Sequence, residues 1–292
     1  MIGYTCAYLR YYYPTEFIAA YLQNAKDDED TIRGTALAKQ LGIKIESVKF
    51  RYSQAKYTCD GANRVIYKPV SSLKDFGSDI ANKLYALKDN HYDTFIDFLK
   101  DNPCGEYTAK LIKLDFFSEF GKSQYLLDVF ELFQKYGQRK QIYKSDCDIP
   151  NEVMVKYANE TAKMYKIFDN AGLLTELSAS IPNKSIPVTN LLETQAKFLG
   201  YLDYVNPKAK GYGYVLNVDT KYSPKINLYC LDTGDTITVK LSKRDYNDNP
   251  FKENTIIVYK TEQRNKSRKV DGKWIKSLEE FEPWITNYKI LK

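Results

Sequence analysis

Apolar residues in the first two thirds of the chain recur every three or four positions, which is the spacing of an amphipathic helix. A helix is predicted over 4–24 with an interruption at Pro14, because proline breaks the hydrogen-bond ladder of a helix interior. Residues 43–67 instead alternate around the turn at 59–63, which favours short strands. The helical spacing predicts further helices at 31–41, 73–87, 92–100, 107–114, 124–136, 151–170 and 191–199.

From Gly211 onward, apolar and polar residues alternate, as in half-buried strands. Four strands are predicted from the runs YGYVLNVDT, KINLYCLD, DTITVKL and TIIVYKTEQR, and GKWIKSLEEF predicts a fifth strand and the start of a closing helix. A helical turn is predicted around 244–251, before the fourth strand. Five short strands with a helical insertion are typical of an OB-type Greek-key barrel. The expected fold class is therefore α+β, a mostly helical N-terminal part followed by a small OB-type Greek-key β-barrel.

Three segments are expected along the 292 residues, a length that suits two modest domains or one with appendages. They are a helical domain at 1–136, a helical connector at 137–205 and the barrel domain at 206–292. Residues 171–190 carry Pro182 and Pro187 and form the candidate linker.

The composition is rich in aromatic residues and unevenly charged. There are 26 Tyr and 14 Phe but only 2 Trp, and tyrosine can either complete a core or stack on nucleic-acid bases. The net charge of +6 lies wholly within 206–292, which holds 17 Lys and Arg against 11 Asp and Glu, while 1–205 is balanced. A polyanionic partner is therefore expected to meet the last third of the chain.

Targeting signals and disulfide patterns are both lacking in the sequence. Five cysteines lie far apart without a CxxC pair, which favours reduced thiols and a cytoplasmic protein. The N-terminus has no signal-peptide pattern. The sequence contains no apolar run of about 18 residues, so no membrane partner is expected.

The sequence offers little catalytic chemistry. The single histidine, His91, lies among polar residues typical of a surface loop. The acidic run at 27–30 has no histidine or second carboxylate cluster beside it, so a solvated helix start is the expected role. No phosphate-binding glycine loop and no strand-borne DxD pattern occur. No catalytic residue, metal site or cofactor is expected, and the chain is not expected to be an enzyme.

Seven phrases are distinctive and follow one another along nearly the whole chain: TCAYLRYYYPTEFIAAYLQN, KQLGIKI, SSLKDFGSDIANKL, TFIDFLKDN, AKLIKLDFFSEFG, LLETQAKFLGYLD and TGDTITVKLSKRDYNDNPFKENTIIVYKTEQ. In this order they resemble the bacterial DNA polymerase III alpha subunit, the C-family replicative polymerase. The first phrases are similar to that family's fingers, the middle ones to its helix–hairpin–helix region, and the last ones to its OB domain.

The resemblance implies a polymerase tail without its catalytic palm. The family's metal-binding aspartates and its nucleotide-binding basic residues precede all the matched phrases, and this chain begins after them. Polymerase activity would then require a separate palm subunit. The hairpin is also degenerate, because LKDFG keeps Gly77 but places Asp75 where the first glycine would be. Lys74 and Gly77 are candidates for DNA contact there, against a purely structural connection of two helices.

The last third carries most of the candidate nucleic-acid contacts. Cations cluster between Lys260 and Lys276, in what is expected to be a basic loop between strands, and tyrosines such as Tyr222 lie on the expected sheet. The alternative is that half of the tyrosines are core and the charged run is a solvated hairpin. The candidate nucleic-acid-binding residues are Tyr212, Tyr214, Lys221, Tyr229, Lys240, Arg264, Lys266, Arg268, Lys269 and Lys273, with Lys74 and Gly77.

Three functions stay open on the sequence. The first is a non-catalytic polymerase-like protein that binds nucleic acid, with single-stranded or template DNA favoured. The second is one subunit of a split polymerase, docking on a separate palm through Tyr8, Leu9, Tyr12 and Phe17. The third is a repurposed phage or mobile-element fragment that binds another protein and interferes with it, since tyrosine is enriched at protein interfaces.

Overall fold

The computed structural model describes residues 2–270 and 273–291, apart from the side chains of residues 2, 28, 267–270, 273–275 and 278. The chain divides into two compact units, 1–186 and 187–292. The first is helical with two small sheets, and the second holds a five-stranded mixed barrel, which confirms the α+β class. The division falls in the second half of the candidate linker at 171–190, whose first half is not a linker but a helix of the first unit, Asn170–Ala179. The predicted connector at 137–205 contributes to both units.

Helices form in the first unit close to where apolar periodicity predicts them. Pro14 opens α2 at the first helical position, where its missing N–H costs no hydrogen bond. Asp27 caps α3 by accepting a bond of 2.8 Å from the backbone N–H of Asp30, so the acidic run starts a helix as expected. The helices are α1 (Ile2–Tyr12), α2 (Pro14–Gln23), α3 (Asp28–Gln40), α4 (Ser78–Ala86), α5 (Phe95–Asp101), α6 (Thr108–Lys113), α7 (Ser123–Tyr136), α8 (Asn151–Tyr157) and α9 (Asn170–Ala179).

Two three-stranded sheets complete the first unit. The predicted strands at 43–67 are confirmed as β1 (Lys44–Glu46), β2 (Thr58–Asp60) and β3 (Val65–Tyr67), in the order β1-β3-β2. The second sheet has the order β4-β6-β5 and comprises β4 (Gln141–Tyr143), β5 (Ala158–Glu160) and β6 (Met164–Ile167).

The predicted helix at 151–170 is wrong beyond Tyr157, because β5 and β6 follow α8 directly. A tight turn forms there instead of a helix. The backbone N–H and the hydroxyl of Thr161 both donate to the carbonyl oxygen of Met164, at 2.8 and 2.7 Å. These bonds close the hairpin between the two strands.

The first unit has an aromatic core. Six phenylalanines around α5 and the segment after α6 have ring centroids 4.7–6.1 Å apart. Phe98 of α5 is fully buried and contacts four of the others. The cluster comprises Phe50, Phe95, Phe98, Phe116, Phe117 and Phe120.

The barrel of the second unit has the strand order β10-β11-β9-β8-β7 and closes through pairing of β10 with β7. β11 runs parallel to β9, the other neighbours are antiparallel, and α11 lies between β9 and β10. This arrangement is consistent with an OB-type barrel. The elements are α10 (Val188–Phe198), β7 (Tyr212–Asp219), β8 (Lys225–Cys230), β9 (Thr236–Lys240), α11 (Lys243–Asp248), β10 (Ile256–Val270) and β11 (Lys273–Ile290).

The last two strands differ from the prediction. β10 and β11 have 15 and 18 residues, so they are not short strands. The expected closing helix does not form, because β11 continues to Ile290 and pairs with β10 on both sides of an irregularity at 277–280. Residue Ile285 enters the barrel core while its neighbour Trp284 is only half-buried, which is strand alternation. The expected basic loop is therefore the far part of a two-stranded ribbon, beyond the pairing of β10 with β7 at 256–258.

None of the helices in the described part of the chain is both long enough and apolar enough to cross a bilayer.

Candidate nucleic-acid interface

A row of cross-strand neighbours lies on one outer face of the barrel. Lys225 at the start of β8 is directly opposite Lys240 at the end of β9, and Lys240 is opposite Trp284 of β11. On the next strand, Arg264 of β10 is opposite Glu282 of β11. Residues directly opposite each other share a face, so the pairing register brings cations from three strands beside one indole ring.

These residues line a cleft of about 860 Å³ at the base of the ribbon. It lies between the loop that joins β7 to β8 and the faces of β8, β9, β10 and β11. In OB barrels the second and third strands, with the loops after the first and fourth, form the nucleic-acid-binding face. The cleft occupies that position, and its lining comprises Tyr222, Ser223, Lys225, Lys240, Gln263, Arg264, Asn265, Lys276, Glu282 and Trp284.

Two aromatic side chains in the cleft are flanked by cations. The guanidinium carbon of Arg264 is 4.9 Å from the ring centroid of Trp284, and the ammonium nitrogen of Lys240 is 5.7 Å from it. Tyr222 on the loop is 74% exposed, with the ammonium of Lys221 5.6 Å from its ring. Such pairs combine a surface for stacking with positive charge that attracts phosphate.

A single carboxylate lies among the described lining residues. Glu282 accepts bonds from Lys240 Nζ at 2.7 Å and from the indole Nε1 of Trp284 at 3.1 Å. The Glu282 side chain is only 14% exposed and that of Lys240 is 26% exposed. Glu282 thus fixes both the ammonium and the indole ring at the floor of the cleft.

Several predicted nucleic-acid-binding residues do gather at this face. Lys240 and Arg264 line the cleft, and Lys221 lies beside Tyr222. Lys266 is exposed on the ribbon, 3.5 Å from Glu280, and does not line the cleft. The side chains of Arg268, Lys269 and Lys273 lie outside the described residues.

Two of the three predicted tyrosines on β7 and β8 are buried and cannot stack on a base. Tyr214 and Tyr229 are 1% and 4% exposed, and burial raises the pKa of each to about 12. Tyr212 is half-buried and packs against the apolar cluster that contains both of these rings. The strand alternation predicts their outward direction, but Leu192 of α10 packs over that face. The Tyr214 hydroxyl donates to Asn254 Oδ1 at 2.9 Å, and the Tyr229 hydroxyl donates to the Tyr204 carbonyl oxygen at 3.1 Å.

The predicted hairpin contacts, Lys74 and Gly77, are exposed in the first unit. Gly77 has an ordinary φ of −85° and its Cβ position is open, so its backbone does not require glycine. Asp75 adopts a φ of +75°, and its carboxylate is 3.1 Å from Lys110 Nζ. The local contacts fit a structural connection between helices, and they provide no phosphate cradle.

The residues predicted for a protein interface lie mainly on α1. Tyr8, Leu9 and Tyr12 are 44%, 40% and 61% exposed, and the rings of Tyr8 and Tyr12 are 4.6 Å apart. Phe17, in α2, instead packs against the core of the first unit. Residues 3–13 are all exposed, so α1 presents an aromatic surface around its whole circumference.

Trp284 and Lys225, with the amides Gln263 and Asn265, escaped the prediction from sequence. Extending the alternation of the last strand past Phe281 would have placed Trp284 outward and Ile285 inward. Because a closing helix is expected after this segment, strand alternation is not applied to Trp284. Lys225 could be recognised only from its register with Lys240.

No group of three metal-ligating side chains occurs within the described residues. Cys104 and Cys230 are buried, and burial raises the pKa of each thiol, to about 12 for Cys104. A raised pKa keeps a thiol protonated and unreactive at neutral pH.

Comparison with known proteins shows a distant, partial similarity. No family model matches the chain. The DNA polymerase III subunit alpha of Ureaplasma parvum serovar 3 is 26% identical over 144 residues, which cover 47% of this chain. The matched part is only 15% of the length of that relative.

Proposed function

We propose that the chain is a non-catalytic protein, similar to the DNA polymerase III alpha subunit, that binds single-stranded nucleic acid in the barrel cleft. Single-stranded DNA is the favoured ligand. The observation that carries the proposal is the half-buried Trp284, which lines the cleft together with four cationic side chains and the exposed Tyr222. The distant similarity to a replicative polymerase subunit supports a nucleic acid as the partner.

Different side chains of the cleft bind the bases and the phosphates of the strand. Bases stack on Trp284 and Tyr222, because every base offers a π-face and stacking tolerates any sequence. Lys225, Arg264 and Lys276 hold the phosphates. The resulting affinity depends on salt because each neutralised phosphate releases counterions. The amides of Gln263 and Asn265 can bond base edges without a strict preference, since an amide both donates and accepts.

The proposal is tested by titrating labelled single- and double-stranded DNA at low and moderate salt. Single strands are expected to bind more tightly. The double variant Lys225→Gln/Lys276→Gln should bind more weakly, and its plot of log affinity against log salt should be shallower by about 1.4, since each single-strand phosphate contact contributes about 0.7.

The matched control is Lys243→Gln/Arg244→Gln, which removes the same charge from α11, away from the cleft lining. The control is expected to keep the wild-type slope. Absence of single-strand binding at low salt would reject the proposal. An equal loss in the control would show a diffuse charge effect instead of a cleft.

A second candidate function is docking of another protein, which the exposed helix α1 favours. Arg10 is the single charged side chain between residues 2 and 12, so the fitting partner has an apolar groove with an acidic group. A separate polymerase palm subunit, or a protein inhibited by this chain, would fit this role. If the DNA titration shows no binding, this candidate replaces the first.

A further inference from the structure

Two lysines of the cleft are cross-strand neighbours, Lys240 at the floor and Lys225 at the rim. Lys225 and Lys240 are directly opposite on β8 and β9. Like charges in that position destabilise a sheet. Glu282 offsets the repulsion, because its carboxylate bonds the Lys240 ammonium at 2.7 Å while Lys225 stays exposed.

The carboxylate occupies the place where a phosphate would otherwise meet Lys240. It is 14% exposed and takes a second bond from the Trp284 indole, so its position is fixed from two sides. A phosphate that reaches Lys240 must break this ion pair and approach a negative charge in a partly buried setting, where charges are weakly screened. At the rim, Arg264 also bonds a carboxylate, that of Glu262, but the Glu262 side chain is 50% exposed and is therefore more strongly screened by salt than Glu282. The stronger competitor for phosphate lies at the floor.

We propose that Glu282 is a built-in competitor for phosphate that makes the cleft selective for strands carrying bases over polyanions without bases. This inference rests on the proposed function and deepens it. The phosphate backbone runs along the rim beside Lys225, Arg264 and Lys276, and the bases turn inward to Trp284. A polyphosphate chain has nothing to stack on the indole and cannot use Lys240.

The test compares Glu282→Gln with Glu279→Gln, which removes the same charge from an exposed position on the same strand. Inorganic polyphosphate competes against a labelled single-stranded oligonucleotide for each protein. Glu282→Gln is expected to bind polyphosphate about fivefold more tightly at 0.1 M salt, with a salt slope steeper by about 0.7, the share of one added phosphate contact. Glu279→Gln should match the wild type.

A further variant separates competition from a structural role of Glu282. If the gain comes from freeing Lys240, the double variant Lys240→Gln/Glu282→Gln should lose it and return to the wild-type affinity for polyphosphate. A weaker affinity of Glu282→Gln for both ligands would overturn the inference and make Glu282 a positioning residue for Trp284. Failure of the proposed function is distinct, because the wild-type protein itself would then not bind the oligonucleotide.

Discussion

Replacing Trp284 with alanine is expected to weaken binding of single-stranded DNA by roughly 1–3 kcal/mol, or about fivefold to 150-fold, the range typical of losing one base–aromatic stack. The indole is half-buried in the cleft and flanked by Arg264 and Lys240. Its loss removes the stacking surface and leaves those cations less fixed. Fluorescence anisotropy of a labelled oligonucleotide, at a salt concentration held constant, measures the effect.

Two control variants show whether the effect belongs to the indole. Trp284→Phe keeps an aromatic face and should recover part of the affinity. Phe281→Ala removes a ring that is 55% exposed on the same strand but does not line the cleft, so its binding should stay near wild type. Equal losses for Phe281→Ala and Trp284→Ala would contradict a specific stacking site.

The second large effect is expected in the first unit, on stability. Phe98→Ala should lower the free energy of unfolding of that unit by about 3–5 kcal/mol, the usual cost of removing a fully buried phenylalanine from a packed core. Four other phenylalanine rings contact Phe98, so the surroundings cannot collapse into the space without losing their own contacts.

Hydrogen exchange measures this change separately in each unit. Amide protection in α5 and α7 should fall, while protection in β8 and β9 stays unchanged because the barrel has its own core. Single-stranded DNA should bind the variant as it binds the wild type. An equal loss of protection in both units would show that they unfold together, and would contradict independent cores.

Much of the architecture follows from local patterns. Pro14 marks the end of α1, and the acidic run marks the start of α3, because both signals act through the backbone of their own segment. The change to alternating residues after Gly211 predicts the barrel strands. The position of the helical turn before the fourth strand predicts the OB-type arrangement.

The errors arise where distant partners decide the structure. In 158–167 the hairpin bonds of Thr161 and pairing with β4 select strands over a continued helix. Strand β11 continues past Glu280 because β10 supplies partners for it from Phe281 to Ile290, with one bulge at residue 286. Helical spacing in a short segment cannot reveal either partner, since tertiary pairing overrides local preference.

The candidate cleft is the part of the molecule that follows least directly from the sequence. Alternation correctly separates Tyr214 from Val215, but it cannot show that α10 covers the face on which Tyr214 lies. The cleft also depends on register, because Lys225, Lys240 and Trp284 meet only through pairing across three strands. A cluster of cations close in sequence is therefore a weaker guide than cations brought together by the sheet.

Photocrosslinking of a single-stranded oligonucleotide to the whole chain tests the central claim most directly. Photoactivatable bases react with side chains that they touch, and mass spectrometry identifies the crosslinked residues. Crosslinks at Trp284 and Tyr222, lost when unlabelled single strand is added, are the predicted result. Crosslinks confined to residues 1–186, or none at low salt, would contradict binding in the barrel cleft.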